Sequence, residues 1–398
     1  MKMNYTHNDI VELYDQYVAH TYGRFALTAV SGSGVTCTDI NGKEYIDFTS
    51  GIGVNALGFC DEKWAEAVSK QSKTLNHTSN LYYTLPGGLL AKALCERSGM
   101  SRVFFGNSGA EANEGAIKAA KAYSFKKYNN EKRTKVISLV NSFHGRTITT
   151  LAATGQEHYH QIFFPFTAGF EYAEANNIDS VKALVDDDTC AIIMEMVQGE
   201  GGVIALDKEF VQAVRALCDE KDIILIVDEV QTGIGRTGKL FAYQNYDILP
   251  DVVSSAKGLG GGLPIGAVLL GEKTKDALAA GEHGSTFGAN PICCAGGLAV
   301  MERLTDEFLA EVAAKGEYIR SKLQGMPKVT ALSGLGMMIG IQIEGATAKA
   351  VAAKCLEKGL LVLTAKDRVR LLPPLVIDYT DIDKGLEILQ NVLKECDE

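Results

Sequence analysis

Short apolar runs alternate with helical patterns through the middle of the chain. Several of the runs are continuous rather than alternating, which is typical of strands buried on both faces of a mostly parallel sheet. The predicted strands are Arg102–Phe105, Lys135–Val140, Cys190–Met196, Ile223–Val227, Val252–Ser255 and Ala267–Leu270. Helical patterns lie between them, including Gly109–Tyr128 and Lys208–Glu220. The alternation predicts an α/β fold with helices on both faces of the sheet.

The pattern changes toward both ends of the chain. Residues 24–50 are typical of a small β-meander, with turn signals at Ser31–Gly34 and Asn41–Gly42. After about residue 292 the sequence predicts one long helix, roughly 293–324, then short strands and a final amphipathic helix. The short strands are expected around 329–344 and 360–376.

These patterns predict two domains. The large domain would span residues 58–292. The smaller domain would be α+β and would be assembled from residues 1–57 and 293–398. A chain of 398 residues has room for such an arrangement.

Composition and charge narrow the classes of partner. The net charge of −10 disfavours a nucleic acid or an anionic membrane as the partner. No apolar run approaches the roughly 18 residues of a membrane span, and Met1–Thr6 lacks the apolar stretch of a secretory signal. The nine cysteines are odd in number and form no CxxC pair, which favours reduced cytosolic thiols. We expect no metal site at His158 and His160.

Two charged residues follow apolar runs and suggest a chemistry. Asp228 ends the run Ile223–Val227 and Lys257 follows the run Asp251–Ser255, so each should lie at the edge of a buried strand. An amine and a carboxylate so placed suit pyridoxal phosphate, because the amine can hold the aldehyde as a Schiff base and the carboxylate can keep the pyridine nitrogen protonated. Taken singly, Asp228 also suits an ordinary strand end and Lys257 a surface charge.

A candidate phosphate site lies where Phe104–Glu114 changes from a strand to a helix pattern. Ser108 and Gly109 fall at the turn. Glycine allows close backbone approach, and the free N–H groups of a first helical turn attract an anion. The same residues also suit an ordinary helix N-cap. Beside a candidate Schiff-base lysine, a phosphate site is the favoured interpretation.

A second glycine-rich stretch, Gly258–Pro264, raises the alternative of a nucleotide site. The chain contains neither GxGxxG before a helix nor GxxxxGK[ST], so this alternative is weakly supported. The glycines are expected to let the chain turn tightly beside the cofactor. A non-catalytic or nucleotide-binding α/β protein remains the alternative of a different class.

The motifs, taken in order, resemble the class III, ornithine-type aminotransferases of fold type I. No single motif is decisive, but together they cover nearly the whole chain. They are Thr21–Phe25, Gly42–Phe48, Ser79–Tyr83, Asn107–Glu114, Ser142–Thr147, Val197–Gly202, Asp228–Gly233, Ala256–Gly262, Gly284–Gly288 and Arg370–Pro374. The resemblance implies a mostly parallel seven-stranded sheet in the large domain and pyridoxal 5'-phosphate as the cofactor.

The resemblance also implies roles for residues around the cofactor. Lys257 would form the Schiff base, Asp228 would pair with the pyridinium nitrogen, and Gln231 would lie near the 3-oxygen of the ring. Phe143 would stack on the ring face. The phosphate would be held by Ser108, Gly109 and Ala110. Thr286 would reach the phosphate of the partner subunit, which implies a homodimer with shared sites. From the residues alone, Phe143 also suits a core aromatic and Thr286 a turn hydroxyl.

Three further residues are implied in substrate binding. A guanidinium matches a carboxylate with two parallel hydrogen bonds and stays charged at any working pH. By the resemblance, Arg146 binds the α-carboxylate of acetylornithine and Arg370 binds that of glutamate or 2-oxoglutarate. Glu200 would pair with Arg370 while the amine donor presents its distal, uncharged side. From the residues alone, Arg370 equally suits a surface strand.

The reaction that the resemblance implies belongs to arginine biosynthesis in the cytoplasm. N2-acetyl-L-ornithine and 2-oxoglutarate would give N-acetyl-L-glutamate 5-semialdehyde and L-glutamate by ping-pong kinetics. Succinylornithine, ornithine and 4-aminobutyrate remain open as the amine donor.

Two segments depart from the family pattern. The family often has His and Pro after Leu57-Gly58, where this chain has Phe59 and Cys60. A second glycine is usual where this chain has Ala289, before Asn290. Neither departure touches an implied catalytic residue, so each puts only local loop shape in doubt.

Overall fold

The computed structural model describes residues 5–396, so most of the segment Met1–Thr6 and the last two residues of the chain lie outside the described residues. The helices are α1 His7–Tyr17, α2 Ser50–Gly53, α3 Glu62–Thr74, α4 Leu85–Ser98, α5 Gly109–Tyr128, α6 Ile148–Ala153, α7 Ile178–Leu184, α8 Lys208–Lys221, α9 Pro291–Arg303, α10 Asp306–Leu323, α11 Ala348–Glu357 and α12 Tyr379–Glu395.

The strands fall into four sheets. They are β1 Ala29–Ser33, β2 Thr36–Asp39, β3 Glu44–Asp47, β4 Arg102–Gly106, β5 Lys135–Leu139, β6 Phe170–Ala173, β7 Thr189–Met194, β8 Val197–Gln198, β9 Ile204–Ala205, β10 Ile224–Asp228, β11 Val252–Ser255, β12 Gly266–Leu270, β13 Val329–Leu335, β14 Met338–Ile343, β15 Leu360–Leu361, β16 Leu363–Ala365 and β17 Arg368–Leu371.

The largest sheet has seven strands in the order β4-β12-β11-β10-β7-β5-β6. β12 runs antiparallel to both of its neighbours, and the remaining pairs are parallel. The predicted mostly parallel, seven-stranded sheet is therefore confirmed. The carboxyl ends of its parallel strands meet at one edge, where α/β proteins bind their ligands.

Both faces of this sheet are covered, which explains the continuous apolar runs. In β10, Ile224 and Ile226 pack in one buried cluster, together with the small residues Ala116 and Ala120 of α5. Leu225, on the opposite face, belongs to the second and larger cluster. The small alanine side chains let α5 pack closely against the sheet. This packing fixes the position of the 20-residue helix, and so of its N-terminus at Gly109.

The two ends of the chain meet in the smaller sheets. β15 pairs with β3 in a sheet ordered β1-β2-β3-β15, so a strand from the C-terminal part joins the N-terminal meander. A second four-stranded sheet has the order β13-β14-β17-β16. It carries Arg370 on β17. The domain limits themselves remain a prediction.

Some predicted elements are corrected by the structure. The single long helix predicted after residue 292 is wrong: α9 ends at Arg303, and Leu304 takes a non-helical ψ of 59°. Thr305 then caps a new helix, its side chain accepting a hydrogen bond from the Phe308 N–H. The meander begins at Ala29 rather than at residue 24. Strand β6 and helices α1, α3 and α4 were not predicted.

Two findings concern the expected absences. No helix among residues 5–396 is both long and apolar enough to cross a membrane. Within the same range, no cluster of three or more His, Cys, Asp and Glu side chains is arranged to hold a metal ion.

Candidate active site

A cavity of about 590 Å³ opens at the carboxyl edge of the seven-stranded sheet. Eight of the residues singled out from the sequence line it: Ser108, Gly109, Ala110, Phe143, Arg146, Asp228, Gln231 and Lys257. Each follows or ends a strand of the sheet, or lies in the loop or helix that such a strand leads into. Parallel strands therefore bring together side chains up to 149 residues apart, from Ser108 to Lys257.

Asp228 ends β10 and is 3% exposed. Its Oδ2 accepts hydrogen bonds from Asn113 Nδ2 at 2.7 Å and from His144 Nδ1 at 2.8 Å. Its Oδ1 accepts from the Val230 N–H at 3.0 Å. A buried carboxylate that accepts from three donors is fixed in position in the cavity lining.

Asn113 and His144 were not singled out from the sequence. Asn113 Nδ2 also donates to the His144 carbonyl at 2.8 Å, so these two residues and Asp228 form one buried group. Because a carboxylate oxygen accepts, the bond to Asp228 requires a proton on His144 Nδ1, and Nε2 has no hydrogen-bond partner within residues 5–396. The motif Ser142–Thr147 contained His144, but the contact spans 84 residues and left no local signal.

Lys257 follows β11, which pairs with β10 in parallel so that Asp228 lies opposite Ser254. Its backbone has a φ of 44°, a conformation that is rare for residues other than glycine. Burial lowers the pKa of Lys257, with Arg370 adding to the effect and Glu200 opposing it. A lysine held in this way is closer to the neutral amine that a nucleophile requires.

The turn at Ser108 serves as a helix cap and leaves further donors free. Ser108 Oγ accepts from the Glu111 N–H at 3.2 Å. The first intrahelical bond runs from the Ala112 N–H to the Ser108 carbonyl, so the N–H groups of Gly109 and Ala110 precede it. A Cβ on Gly109 would lie 2.7 Å from Cγ1 of Val230, so only glycine fits there. The N-terminus of α5 can thus receive an anion.

Arg370, Glu200 and Gln231 form a polar cluster beside the cavity. Arg370 is 3% exposed, and its Nη1 donates to Glu200 Oε1 at 2.6 Å and to Gln231 Oε1 at 3.2 Å. Gln231 Nε2 donates to the same Glu200 oxygen at 3.3 Å. Burial would raise the pKa of Glu200, but the charge and hydrogen bond of Arg370 hold it below its usual value. The pair is therefore charged at neutral pH.

Arg146 lines the cavity and is exposed. Its guanidinium carbon is 5.7 Å from the Phe143 ring centroid and 5.1 Å from that of Tyr159. It makes no hydrogen bond or ion pair with any of residues 5–396. Its five N–H donors remain available to a ligand.

Glu195 is a second buried carboxyl that was not singled out from the sequence. It follows β7 and is 5% exposed. Its Oε2 accepts from the Phe143 N–H at 3.0 Å, and its Oε1 accepts from the Gly199 N–H at 3.4 Å. Burial, together with the charge of Asp228, raises the pKa of Glu195 well above its usual value. The carboxyl thus ties together the loops that carry Phe143 and Glu200.

Three implied site residues do not line the cavity: Glu200, Thr286 and Arg370. Thr286 is exposed. Ala289, one of the two departures from the family pattern, has a φ of 56°, which explains why glycine is usual there.

The model of the family described as Aminotransferase class-III matches residues 17–393. The chain belongs to the class-III aminotransferases. It is therefore a pyridoxal-phosphate-dependent aminotransferase, as members of this family are.

Individual relatives agree with the family. The chain is 54% identical to an acetylornithine aminotransferase of Haemophilus ducreyi over 98% of its own length and 100% of that protein. It is 47% identical to an acetylornithine aminotransferase of Caldanaerobacter subterraneus, over 96% and 98% of the two chains. The ornithine aminotransferase of Toxoplasma gondii superposes with a TM-score of 0.94 at 31% identity, covering 98% and 96%.

The residues present fit this cofactor. A carboxylate fixed by three donors, an amine with a lowered pKa and a helix N-terminus that accepts an anion are the partners that a pyridinium, an aldehyde and a phosphate require. All three line one cavity, together with the ring of Phe143.

Proposed function

We propose that this aminotransferase acts on N2-acetyl-L-ornithine and 2-oxoglutarate, giving N-acetyl-L-glutamate 5-semialdehyde and L-glutamate. The observation that carries the proposal is a pair of differently held arginines. Arg146 lines the cavity without a carboxylate partner, and Arg370 lies beside it, paired with Glu200 and bonded to the lining residue Gln231. Two carboxylated substrates used in turn need two such clamps. The names of the two relatives above support this choice of substrate.

Each end of the cofactor has a partner in this proposal. Asp228 would pair with the pyridine nitrogen, Lys257 would hold the aldehyde, and Phe143 would stack on the ring. The phosphate would be held by Ser108, Gly109 and Ala110. Gln231 would serve the 3-oxygen. When bound, the cofactor acts as an electron sink for the carbon that bears the substrate amine.

Lys257 has a second task once the substrate amine takes its place. Its Nζ would remove a proton from the substrate carbon that bears the amine, as general base, and would then deliver it as general acid to the cofactor carbon on the other side of that nitrogen. The lowered pKa of Lys257 favours this, because the neutral amine must be present at neutral pH. Asp228, held by Asn113 and His144, would keep the pyridine nitrogen protonated during the transfer.

The arginines then divide the two substrates. Acetylornithine enters with its α-carboxylate on Arg146 and its distal amine toward Lys257, while Glu200 covers Arg370. Glutamate or 2-oxoglutarate displaces Glu200 and places its α-carboxylate on Arg370. The side chain of Glu200 is 29% exposed, so it can leave the pair toward solvent.

The proposal includes a homodimer with shared sites. Leu81, Tyr82 and Tyr83 form an exposed apolar loop. Asn80 donates to the carbonyls of Ser285 and Gly288, each at 2.9 Å, so the loop adjoins the segment carrying Thr286. That placement supports a partner-facing role for Thr286. Sedimentation equilibrium should give a dimer, and a monomer would overturn this part. The nine free cysteines support a cytoplasmic location.

A half-reaction panel tests the choice of substrate. The pyridoxal form is mixed with acetylornithine, succinylornithine, ornithine and 4-aminobutyrate, and the loss of its absorbance is followed. Acetylornithine should react fastest; a faster reaction with another donor would replace it as the proposed substrate. Borohydride reduction followed by peptide mapping should place the label on Lys257, and an unlabelled Lys257 would contradict its role.

A further inference from the structure

We infer that Tyr159 is a positioning residue for Arg146: its ring holds the guanidinium where a substrate carboxylate can reach it. Tyr159 thereby contributes to the affinity for the acetylated substrate without touching the reacting atoms. The inference rests on the proposed function, in which Arg146 binds the α-carboxylate of acetylornithine.

The geometry is that of an aromatic support for a cation. The guanidinium carbon of Arg146 lies 5.1 Å from the Tyr159 centroid and 5.7 Å from the Phe143 centroid. The two rings meet edge to face, 5.7 Å apart at 60°. Both distances lie within the roughly 6 Å over which a ring attracts a guanidinium.

Aromatic rings are suited to positioning Arg146 because they do not occupy the N–H donors of its guanidinium. A carboxylate at Arg146 would hold the guanidinium firmly but would compete with the substrate, as Glu200 does at Arg370. An exposed arginine without any support would lose much rotamer freedom on binding. A ring face restrains the side chain beforehand and leaves all five N–H groups to the ligand.

Tyr159 is itself held against the segment that carries Arg146. It ends a short 3-10 turn, Glu157–Tyr159, preceded by the buried Gln156. Gln156 Nε2 donates to the Ser142 carbonyl at 3.0 Å, which ties the turn to the chain just before Phe143. The next residue, His160, bonds through Nε2 to the Leu151 carbonyl at 2.9 Å. These bonds hold the chain on both sides of Tyr159, and its ring lies against Arg146 in the absence of substrate.

The test measures both half-reactions of the holoenzyme in Tyr159→Leu and Tyr159→Phe. Tyr159→Leu should raise the half-saturating concentration of acetylornithine about three- to tenfold, with little change in limiting rate or in the glutamate half-reaction. Tyr159→Phe keeps a ring face and should restore most of the affinity. If Tyr159→Phe loses as much as Tyr159→Leu, the hydroxyl acts directly and the inference is wrong.

A remote arginine–tyrosine pair supplies the matched control. Arg133 lies over the Tyr128 ring at 4.3 Å, at the end of α5 and away from the cavity. Tyr128→Leu should leave both half-reactions unchanged. An equal loss in Tyr128→Leu and Tyr159→Leu would show a general effect of losing such a pair, and would overturn the inference.

A binding measurement separates this inference from the proposed function. N-acetyl-L-norvaline keeps the α-carboxylate and lacks the reacting amine, so calorimetry reports its affinity without turnover. Arg146→Leu should weaken its binding, and Tyr159→Leu should weaken it less. In the double variant, Tyr159→Leu should cost nothing further, because its effect passes through Arg146.

The outcomes are distinct. Unchanged binding in Arg146→Leu contradicts the proposed role of Arg146. Weaker binding in Arg146→Leu but not in Tyr159→Leu leaves that role standing and overturns the inference, as do additive losses in the double variant. Should Tyr159→Leu be insoluble, fluorinated phenylalanines at position 159 keep the ring's shape while weakening its electrostatic face. Affinity should then fall stepwise with fluorination, and a flat series would contradict the inference.

Discussion

Arg146 and Arg370 are held in opposite ways, the first in the cavity lining and the second beside it, bonded to the lining residue Gln231. Arg370 is buried and already bonded to the Glu200 carboxylate at 2.6 Å. Arg146 is exposed, and within residues 5–396 its guanidinium has only the rings of Phe143 and Tyr159 as partners. A paired guanidinium must give up its partner before it binds a second carboxylate, but a free one binds at once. This difference explains how a single site can accept two carboxylated substrates, one in each half-reaction of transamination.

The largest effect is expected from a substitution of Lys257, toward which both arginines would orient their substrates. Lys257→Ala should abolish steady-state turnover, a loss on the order of 10⁴-fold or more, because no other lysine among residues 5–396 lines the cavity to move the proton. Both half-reactions should fall alike in rapid-mixing measurements. Near-normal turnover in Lys257→Ala would contradict the catalytic role of Lys257 and the substrate roles proposed for both arginines.

Asp228→Ala should come next, at about 100-fold or more in both half-reactions. The substitution removes the carboxylate that would keep the pyridine nitrogen protonated and leaves the donors of His144 and Asn113 without their acceptor. Stability should fall as well, by about 1–3 kcal/mol for each buried donor left unpaired. The readouts are single-turnover rates and thermal unfolding. A loss confined to one substrate would contradict a role shared by both.

Glu200→Gln addresses the difference between the arginines directly. Without the competing carboxylate, 2-oxoglutarate should bind about three- to tenfold more tightly, while acetylornithine should react more slowly. Titrations of each substrate with its own form of the cofactor measure both changes. Weaker binding of 2-oxoglutarate would show that Glu200 helps Arg370 rather than covering it.

The pH dependence of the wild-type enzyme follows from the same pair. The pKa of Glu200 is held below its ordinary value, so its pairing with Arg370 contributes fully above the unfolded pKa and is lost only as the pH falls through the lowered one. Between about pH 6 and 9 the preference between the two substrates should therefore not follow the ionisation of Glu200. A change of preference that disappears in Glu200→Gln would contradict this.

The smallest expected effect touches neither arginine. Ala289 has a φ of 56°, so Ala289→Gly should stabilise the protein by about 0.5–1 kcal/mol and leave both half-reactions unchanged. The matched control is Ala310→Gly on the exposed side of α10, which should destabilise by a similar amount. Denaturant unfolding measures both. A lower free energy of unfolding in Ala289→Gly would show that the positive φ of Ala289 causes no strain.

Much of the site could be predicted because charged residues follow apolar runs. Asp228 and Lys257 follow strands whose hydrophobic runs are unmistakable, and adjacent parallel strands must bring them to one edge. Asn113, Glu195 and Tyr159 were missed because each acts through a contact that no local pattern records. The bond from Asn113 to Asp228, for example, spans 115 residues.

The fold shows the same division. Five of the six predicted strands lie inside the large sheet and were found because they are buried on both faces. The sixth, β4, lies at the edge and is partly exposed, but its apolar run Val103–Phe105 still reveals it. Phe170–Ala173, at the sheet edge, is only partly buried and gives no continuous apolar run. The break at Leu304 was missed because the residues around it, such as Arg303 and Asp306, continue a helical pattern. The only sign of a new helix is Thr305, which acts as its N-cap.

The central claim is that the two arginines serve different substrates. Rapid mixing of Arg146→Leu and Arg370→Leu, each with acetylornithine and with glutamate, tests it most directly. The account predicts a crossed result, with losses of about 10- to 100-fold: Arg146→Leu slows the acetylornithine half-reaction, and Arg370→Leu slows the glutamate half-reaction. Equal losses with both substrates in either variant would contradict it.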